Sequence, residues 1–172
     1  MCRQGNGKAQ KHLYDAYATP MFRICCRYVK DQYEAEDVLL KGFHKVFTNL
    51  PAFEPRTPKS LAGWIKKIMV NECLMALRKT NNFNLSSLSD DLPVATDENL
   101  DSHLSAEEIY GLILELPAGY RTVFNLYVIE GYSHKEIAEQ LQISELTSRS
   151  QLSKAKATLR NLLTKNQLNC AV

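Results

Sequence analysis

Apolar residues recur along this chain at intervals of three and four, in segments separated by short polar or proline-containing breaks. Such spacing places apolar side chains on one face of an α-helix. Neither side of the polar segment 80–104 contains a valine- or isoleucine-rich run that alternates with a period of two, as a half-buried β-strand would. The pattern therefore predicts an all-α protein.

The amino-terminal part is predicted to contain four helices. Residues 9–18 form a weak helical pattern, and Thr19 followed by Pro20 has the form of an N-cap with proline in the first helical position, so a second helix is expected to begin there. A third helix covers 33–50, and a fourth begins near Ser60 after a proline-rich loop. The side chains expected to be buried on the third and fourth helices are Leu39, Phe43, Val46, Phe47, Leu50, Leu61, Trp64, Ile65, Ile68, Met69 and Met75.

The carboxy-terminal part opens with a capping box. Ser105 and Glu108 have the S-x-x-E spacing that begins a helix, and this helix is expected to end at Leu116. A further helix is predicted over 119–130, with Gly131 at its C-terminal cap. The side chains of that helix expected to point inward are Val123, Phe124 and Tyr127.

The segment that follows has the pattern of a helix-turn-helix. A second capping box, Ser133 and Glu136, precedes a short helix with apolar residues at helical spacing. After a short turn, Ser144 offers another N-cap for a longer helix. The apolar stripe of that helix consists of Leu152, Ala155, Leu159 and Leu162.

The remaining faces of the longer helix are polar and basic. They carry donors suited to phosphate oxygens and base edges, namely Thr147, Ser148, Arg149, Ser150, Gln151 and Lys154. From Thr147 to the last residue there are five Lys or Arg and no Asp or Glu. Two ordinary helices of a bundle fit the short helix, turn and longer helix equally well, but the charge distribution favours a nucleic-acid partner.

Length and composition narrow the class of protein. The 172 residues are 45% hydrophobic and 23% charged, as in a globular protein, and no run of eighteen apolar residues or signal peptide is present, so a cytoplasmic protein without membrane insertion is expected. The five cysteines form no C-x-x-C pair and are predicted to be reduced. No histidine lies in a metal or nucleophile motif, so we expect no metal, no cofactor, no small-molecule substrate and no enzymatic activity.

Charge divides the chain into three regions. Residues 1–79 contain fourteen Lys or Arg against seven Asp or Glu, a net charge of +7, whereas 80–104 contain five acidic residues and no basic one. Residues 105–172 contain seven of each. Since 80–104 also lacks an apolar period, it is predicted to be a flexible acidic linker between two small helical domains, 9–79 and 105–165.

Two stretches of the chain carry a family resemblance. The run LPAGYRTVFNLYVIEGYSHKEIAEQLQISELTSRSQLSKAKATLR resembles region 4, the promoter-binding domain of bacterial sigma factors. The runs EAEDVLLKGFHKVFTNLPAF and SLAGWIKKIMVNECLMALRK resemble region 2 of the extracytoplasmic-function (ECF) group of those proteins. The resemblance covers roughly residues 11–79 and 105–163, and its two parts stand in the family's order.

The resemblance implies a dissociable initiation subunit of RNA polymerase. Its partners would be bacterial core RNA polymerase, promoter DNA and an anti-sigma factor. Residues matching the family's minus-35 contacts are Ser144, Thr147, Ser148, Arg149, Ser150, Gln151 and Lys154. Those matching its minus-10 contacts are Phe53, Arg56, Lys59, Lys67, Asn71 and Arg78, and those matching its polymerase-binding helix are Asp37, Leu40 and Lys41.

Several roles stay open at this stage. Phe53 and Asn71 are candidates to hold a base pulled out of the stack, but Phe53 fits equally well as a plug on the bundle. For Trp64, core packing is the favoured interpretation. Arg149 suits either a base edge or a phosphate.

Four positions depart from the family pattern. The family usually has glutamine and an acid where this chain has Leu40 and Lys41, and Lys41 is expected to pair with Asp37 one helical turn away. Gln142 and Leu146 stand where the family usually has glycine, which would cost about 1 kcal/mol or more at Gln142 if the turn needs a positive backbone angle there. An alternative to the sigma-factor interpretation is a stand-alone helix-turn-helix regulator, which needs a dimerisation helix that the sequence after Leu163 does not offer.

Overall fold

The structure is a computed structural model that describes residues 6–55, 57, 60–79 and 105–170. Within these residues it contains α-helices, one 3₁₀ turn and one π-helical turn, and no strand. The chain divides into two compact units, Met1–Asn81 and Asn82–Val172. The predicted all-α class is confirmed.

The first unit consists of three helices that pack against one another in every pairing. They are α1 (Gly7–Tyr28), α2 (Gln32–Asn49) and α3 (Ser60–Lys79), with a 3₁₀ turn at Leu50–Ala52 after α2. The core that they enclose contains Met21, Ile24, Cys25, Tyr28, Val38, Leu39, Phe43, Val46, Ile65, Met69, Val70, Cys73 and Leu77.

The first helix differs from the prediction. It is continuous through Thr19 and Pro20 and begins after Asn6, whose side chain accepts hydrogen bonds from the first-turn amides. A proline inside a helix costs about 3 kcal/mol. Burial of Met21 and Ile24 directly after the proline offsets that cost, so the expected helix start at Thr19–Pro20 is wrong.

Helices α2 and α3 lie where the sequence predicted its third and fourth helices. Asp31 caps α2 by accepting a hydrogen bond from the Glu34 amide at 2.8 Å. Met75 was expected in the core but is 43% exposed, whereas Glu72 is buried. The Glu72 carboxylate pairs with the Lys45 ammonium at 2.5 Å, and this partner makes a charged group tolerable on the buried face of α3.

The second unit contains four helices in its described part. They are α4 (Ala106–Glu115), α5 (Ala118–Phe124), α6 (His134–Leu141) and α7 (Glu145–Cys170), and a π-helical turn at Asn125–Ile129 continues α5. Helix α7 packs on the other three. The core contains Leu112, Ile113, Leu116, Tyr120, Val123, Leu126, Ile137, Leu141, Leu152 and Ala155.

The predicted helix ends of this unit are confirmed. Both capping boxes form, with the Ser105 and Ser133 amides each donating to a glutamate carboxylate at 2.8 Å. These bonds to Ser105 lower the pKa of Glu108. Gly131 has φ +80°, a left-handed conformation that glycine adopts without a Cβ clash.

Tyr127 does not lie on the inward face predicted for the helix 119–130. Val123 is buried and Phe124 half-buried as expected, but Tyr127 is 39% exposed. The π-helical turn, closed by the hydrogen bond from the Glu130 amide to the Asn125 carbonyl, changes the number of residues per turn and so rotates the side chains after Phe124. An α-helical period therefore assigns Tyr127 to the wrong face.

The predicted acidic linker, 80–104, lies outside the described residues. The cysteines that the structure describes agree with the prediction of reduced thiols. Cys25 and Cys73 are buried and Cys26 is half-buried, and none of the three forms a disulfide. The hydrogen bond with Cys25, and after it burial, raise the pKa of the Cys73 thiol, which keeps it protonated.

Candidate nucleic-acid interface

Helices α6 and α7 meet through a tight turn that has the geometry of a helix-turn-helix. Gln142 ends α6 in the left-handed conformation, φ 57°, and the Ile143 amide bonds to the Ala138 carbonyl at 3.1 Å. The Ser144 hydroxyl accepts from the Thr147 amide at 2.9 Å and shares a 2.8 Å hydrogen bond with the Thr147 hydroxyl. The predicted N-cap at Ser144 is confirmed, and the turn places Gln142 at a positive φ.

The outward face of α7 is narrower than the sequence indicated. Leu146, Arg149 and Ser150 are exposed, but Ser148 is fully buried and Gln151 is only 6% exposed. Each of these two lies one turn before a core residue of the apolar stripe, and therefore on its inward side. The expectation that both belong to the outward donor set is wrong.

The buried hydroxyl of Ser148 has a hydrogen-bonding partner. The Ser148 hydroxyl lies 2.9 Å from Nδ1 of His134, which is the first residue of α6. The His134 ring stacks on Tyr127, with ring centroids 4.4 Å apart and planes at 22°. Sequence reasoning missed these contacts, which link α6 and the π-helical turn to α7.

Burial and charge both act on His134. Desolvation is the main cause that lowers the pKa of the imidazole, and the positive charges of Arg149 and Lys156 lower it further. The carboxylate of Glu145 acts in the opposite direction. The neutral ring is therefore the form that the folded domain favours.

Arg149 presents its charge outward. Its side chain is 61% exposed, and its guanidinium lies 3.6 Å from the Glu145 carboxylate one turn before it. An exposed pair of this kind contributes little to stability, so the guanidinium is available to another anion at small cost. Thr147 and Lys154 are half-buried beside this face.

A second polar row lies on α3. Lys67, Asn71 and Arg78 are all exposed, as the sequence predicted. At about 100° per residue they fall within about 40° of one another around the helix axis. One side of α3 therefore offers two cations and an amide along its length.

The loop before α3 contains an aromatic contact. The rings of Phe53 and Trp64 lie 4.7 Å apart at 31°, and both residues are half-buried. This contact favours the interpretation in which Phe53 packs on the bundle, and it supports a packing role for Trp64. Arg56 and Lys59 lie outside the described residues.

The outer face of α2 carries an ion pair beside an exposed leucine. Lys41 pairs with Asp37, as predicted, and Leu40 is 60% exposed. A groove of about 380 Å³ lies between α1 and α2 at this point. It is lined by Tyr14, Ala18, Thr19, Phe22, Glu36, Leu39 and Leu40.

Other kinds of site were sought in the same part of the chain. The described residues include no group of three or more His, Cys, Asp or Glu side chains placed to hold a metal ion. None of the helices described is both long and apolar enough to cross a bilayer.

Two sequence-family models match the chain, one to each unit. The family described as Sigma-70 region 2 matches residues 13–83, and the family described as Sigma-70, region 4 matches residues 106–159. Together they cover the three helices of the first unit and most of the second.

Known proteins that align over most of this chain are named RNA polymerase sigma factors. The ECF RNA polymerase sigma factor SigE of Mycolicibacterium smegmatis is 28% identical over 92% of this chain and 63% of its own length. RNA polymerase sigma factor SigV and ECF RNA polymerase sigma factor SigW, both of Bacillus subtilis, are each 26% identical and align over 87% and 92% of their own lengths. The chain thus spans less than two thirds of SigE but most of the Bacillus relatives.

Two solved structures share the fold. CnrH, solved in complex with the cytosolic domain of CnrY, has a TM-score of 0.51 and 20% identity over 95% of this chain and 93% of its own. The sigma factor RpoE from Bartonella quintana, solved with the anti-sigma factor NepR, has a TM-score of 0.54 and 21% identity over 91% and 98%.

Proposed function

The chain belongs to the sigma-70 family, in its extracytoplasmic-function group, and on this basis we propose that it is a dissociable subunit of bacterial RNA polymerase that directs promoter-specific initiation. The observation that carries the proposal is the presence of region 2 and region 4 in that order on one chain. Its work is binding, not covalent chemistry, so it is not an enzyme and needs no cofactor. It acts with the polymerase in the cytoplasm.

The second domain is proposed to read the minus-35 element through the outward face of α7. In a helix-turn-helix, the amino-terminal residues of the second helix contact base edges in the major groove. The residues that support this role are Ser144, Thr147, Arg149, Ser150 and Lys154, which are exposed or half-buried. Ser148 and Gln151 are buried in the domain and act through the position of the helix instead.

The first domain is proposed to bind and open the minus-10 element along α3. The row formed by Lys67, Asn71 and Arg78 combines phosphate donors with an amide that can bond a base edge. We assign the unstacked base to Asn71 in preference to Phe53, because Phe53 already packs on Trp64. The sequence alone supports Arg56 and Lys59 of the preceding loop as further phosphate contacts.

The outer face of α2 is proposed to bind core polymerase. Asp37 and Lys41 satisfy each other, so neither presents an unpaired charge to a partner. Leu40 is exposed to one side of this pair and offers apolar area. Because an exposed leucine gains most from burial, we expect Leu40 to contribute more to this contact than either charged neighbour.

Regulation by an anti-sigma factor is part of the proposal. Two proteins of the same fold were solved in complex with another protein, CnrH with the cytosolic domain of CnrY and RpoE with the anti-sigma factor NepR. The stoichiometric binding of a protein to one or both domains would withhold this chain from polymerase.

The alternative of a stand-alone regulator predicts a different DNA footprint. We expect the purified protein to protect no specific sequence alone, and to protect two elements when core polymerase is added, because each domain binds weakly and one enzyme tethers both. Nuclease footprinting on a promoter selected by the reconstituted polymerase tests this. Protection of the same element by the isolated protein, with two-fold symmetry, would favour the stand-alone regulator.

A further inference from the structure

Leu146 occupies the centre of the outward face of α7. Its side chain is 76% exposed in the first turn of the helix. At about 100° per residue, Arg149 and Ser150 flank it within about 60° around the axis, and both are exposed. Ala155, which is fully buried, lies half a turn away. No core contact therefore accounts for a large apolar side chain here.

The residues around Leu146 have roles that its side chain does not share. Ser144 caps the helix, and Glu145 lies at the positive end of the helix dipole. Arg149 carries the cation of this face. Leu146 supplies the large apolar surface in the middle of an otherwise polar and charged patch.

The major groove of DNA offers one apolar feature to such a side chain. Each base pair presents hydrogen-bond donors and acceptors there, and thymine alone adds a C5-methyl group. A leucine among polar groups that contact phosphates and base edges is complementary to that methyl group. This inference rests on the proposed function, because it requires α7 to lie in the groove.

We propose that Leu146 is a specificity-determining residue that contacts the C5-methyl group of a thymine in the minus-35 element. The contact makes the protein prefer a T·A pair at one position. The expected effect on affinity follows from the burial of about one methyl group, which corresponds to about a fourfold change.

Deoxyuridine substitution tests the contact directly, since it removes only the methyl group. Holoenzyme is reconstituted from the full chain and bacterial core polymerase, and a promoter is selected from random DNA. Each thymine of the upstream element is then replaced singly by deoxyuridine, and the affinity of the holoenzyme is measured. We expect one replacement to weaken binding about fourfold.

Two variants complete the test. Leu146→Ala should bind the thymine promoter about fourfold more weakly than the unchanged protein and respond to deoxyuridine at no position. Val128→Ala removes an exposed apolar side chain of the same domain that belongs to the π-helical turn and not to α7, and it should keep the full response. Because Leu146 is exposed and alanine favours helices, Leu146→Ala should fold normally, which circular dichroism can verify.

Three results would overturn the inference. The first is a holoenzyme that responds to no deoxyuridine substitution. The second is a Leu146→Ala variant that keeps the response of the unchanged protein. The third is a Leu146→Ala variant that loses affinity for core polymerase, which would assign the side chain to a protein contact. In all three cases promoter selection succeeds and the proposed function stands, whereas failure to select any promoter would contradict both.

Discussion

Arg149 is the residue at which the proposed reading of DNA is tested most simply. It is exposed on the outward face of α7, and its only ionic neighbour within 4 Å in the described part of the chain is the exposed Glu145. If it bonds a guanine edge with both guanidinium nitrogens, Arg149→Ala should cost about 1 to 3 kcal/mol and relax specificity at one base pair. Binding of the holoenzyme to single-base promoter variants measures this.

Arg149→Lys is the matched control for that substitution. Lysine keeps the charge but cannot make the paired, planar contact, so base preference should fall while the salt dependence of binding is retained. A uniform loss of affinity across all promoter variants in Arg149→Ala, with a salt slope smaller by about one, would identify a phosphate contact instead.

Gln142 holds a backbone conformation that suits glycine. Its φ of 57° brings the Cβ close to the backbone, at a cost of about 1 kcal/mol or more. Gln142→Gly should therefore raise the free energy of unfolding of the second domain by about 1 kcal/mol. Glu139→Gly, at an exposed position inside α6, should lower it by about the same amount.

Urea denaturation of the full chain separates the two domains. Trp64, the single tryptophan, reports the first domain by fluorescence, so a circular-dichroism transition that fluorescence does not follow belongs to the second. Equal destabilisation by both glycine substitutions would contradict the strain assigned to Gln142.

The lowered pKa of His134 predicts that the stability of the second domain depends on pH. The pKa of His134 is lowered in the folded protein, chiefly by desolvation, so folding favours the neutral ring. The unfolded chain binds the additional proton as the pH falls through about 6.5. The stability of the second domain should thus be full above that pH and fall below it.

His134→Gln provides the comparison for this pH dependence. Glutamine lacks the ionisation, so between about pH 7.5 and 5.5 the melting temperature of the variant's second domain should change less than that of the unchanged protein. Glu145, Arg149 and Lys156, the charged residues that act on His134, are present in both proteins. Identical pH profiles for the two proteins would show that His134 is not responsible.

Single residues also mark where sequence reasoning fails. Ser148 and Gln151 have the side chains of a polar surface, but their positions on α7 turn them inward. The partner of Ser148 is fourteen residues away, on the other helix of the pair. Such a contact depends on how two helices pack, and helical periodicity in one helix does not contain that information.

Helix packing in the first unit depends on a glycine. Gly42 on α2 is buried against Met69 of α3, and a Cβ built at this glycine would overlap the methionine sulfur. Gly42→Ala should destabilise the first domain by up to about 1 to 3 kcal/mol, because the end of the fully buried Met69 side chain would have to move. Trp64 fluorescence during urea unfolding measures the change.

Gly63→Ala is the matched control within the same unit. This glycine lies inside α3 with no atom near the position of a Cβ, so alanine should stabilise the helix by about 0.5 to 1 kcal/mol. If Gly42→Ala were also stabilising, Met69 would have to move freely, and the close packing of α2 on α3 would be contradicted.

At the scale of helices, the three predicted serine caps were confirmed, whereas the predicted cap at Thr19 was wrong. Ser105, Ser133 and Ser144 each cap a helix as predicted, because the cap is a contact between residues three apart in sequence. Pro20 and the π-helical turn were misjudged because tertiary packing sets both. Burial of the residues after Pro20 offsets the cost of a proline inside α1. The π-helical turn follows the regular α-helical turns of α5 and changes which side chains face the core.

For the whole molecule, the proposed function depends on two domains in one chain. The structure divides into two helical units, each with its own buried core, while the predicted domain bounds 9–79 and 105–165 stay a prediction. The DNA and polymerase contacts proposed for α2, α3 and α7 stay predictions that rest on the charge and exposure of those helices. We expect either domain to bind DNA weakly and the pair to bind specifically when one polymerase holds both.

Run-off transcription with bacterial core polymerase tests the central claim most directly. A library of random promoter fragments is transcribed with core polymerase alone and with core polymerase plus the full chain, and the transcripts are sequenced. The account predicts transcripts that start at a small set of promoters only when the chain is present, with two shared elements upstream of each start. Absence of chain-dependent transcripts, together with absence of binding to core polymerase, would contradict it.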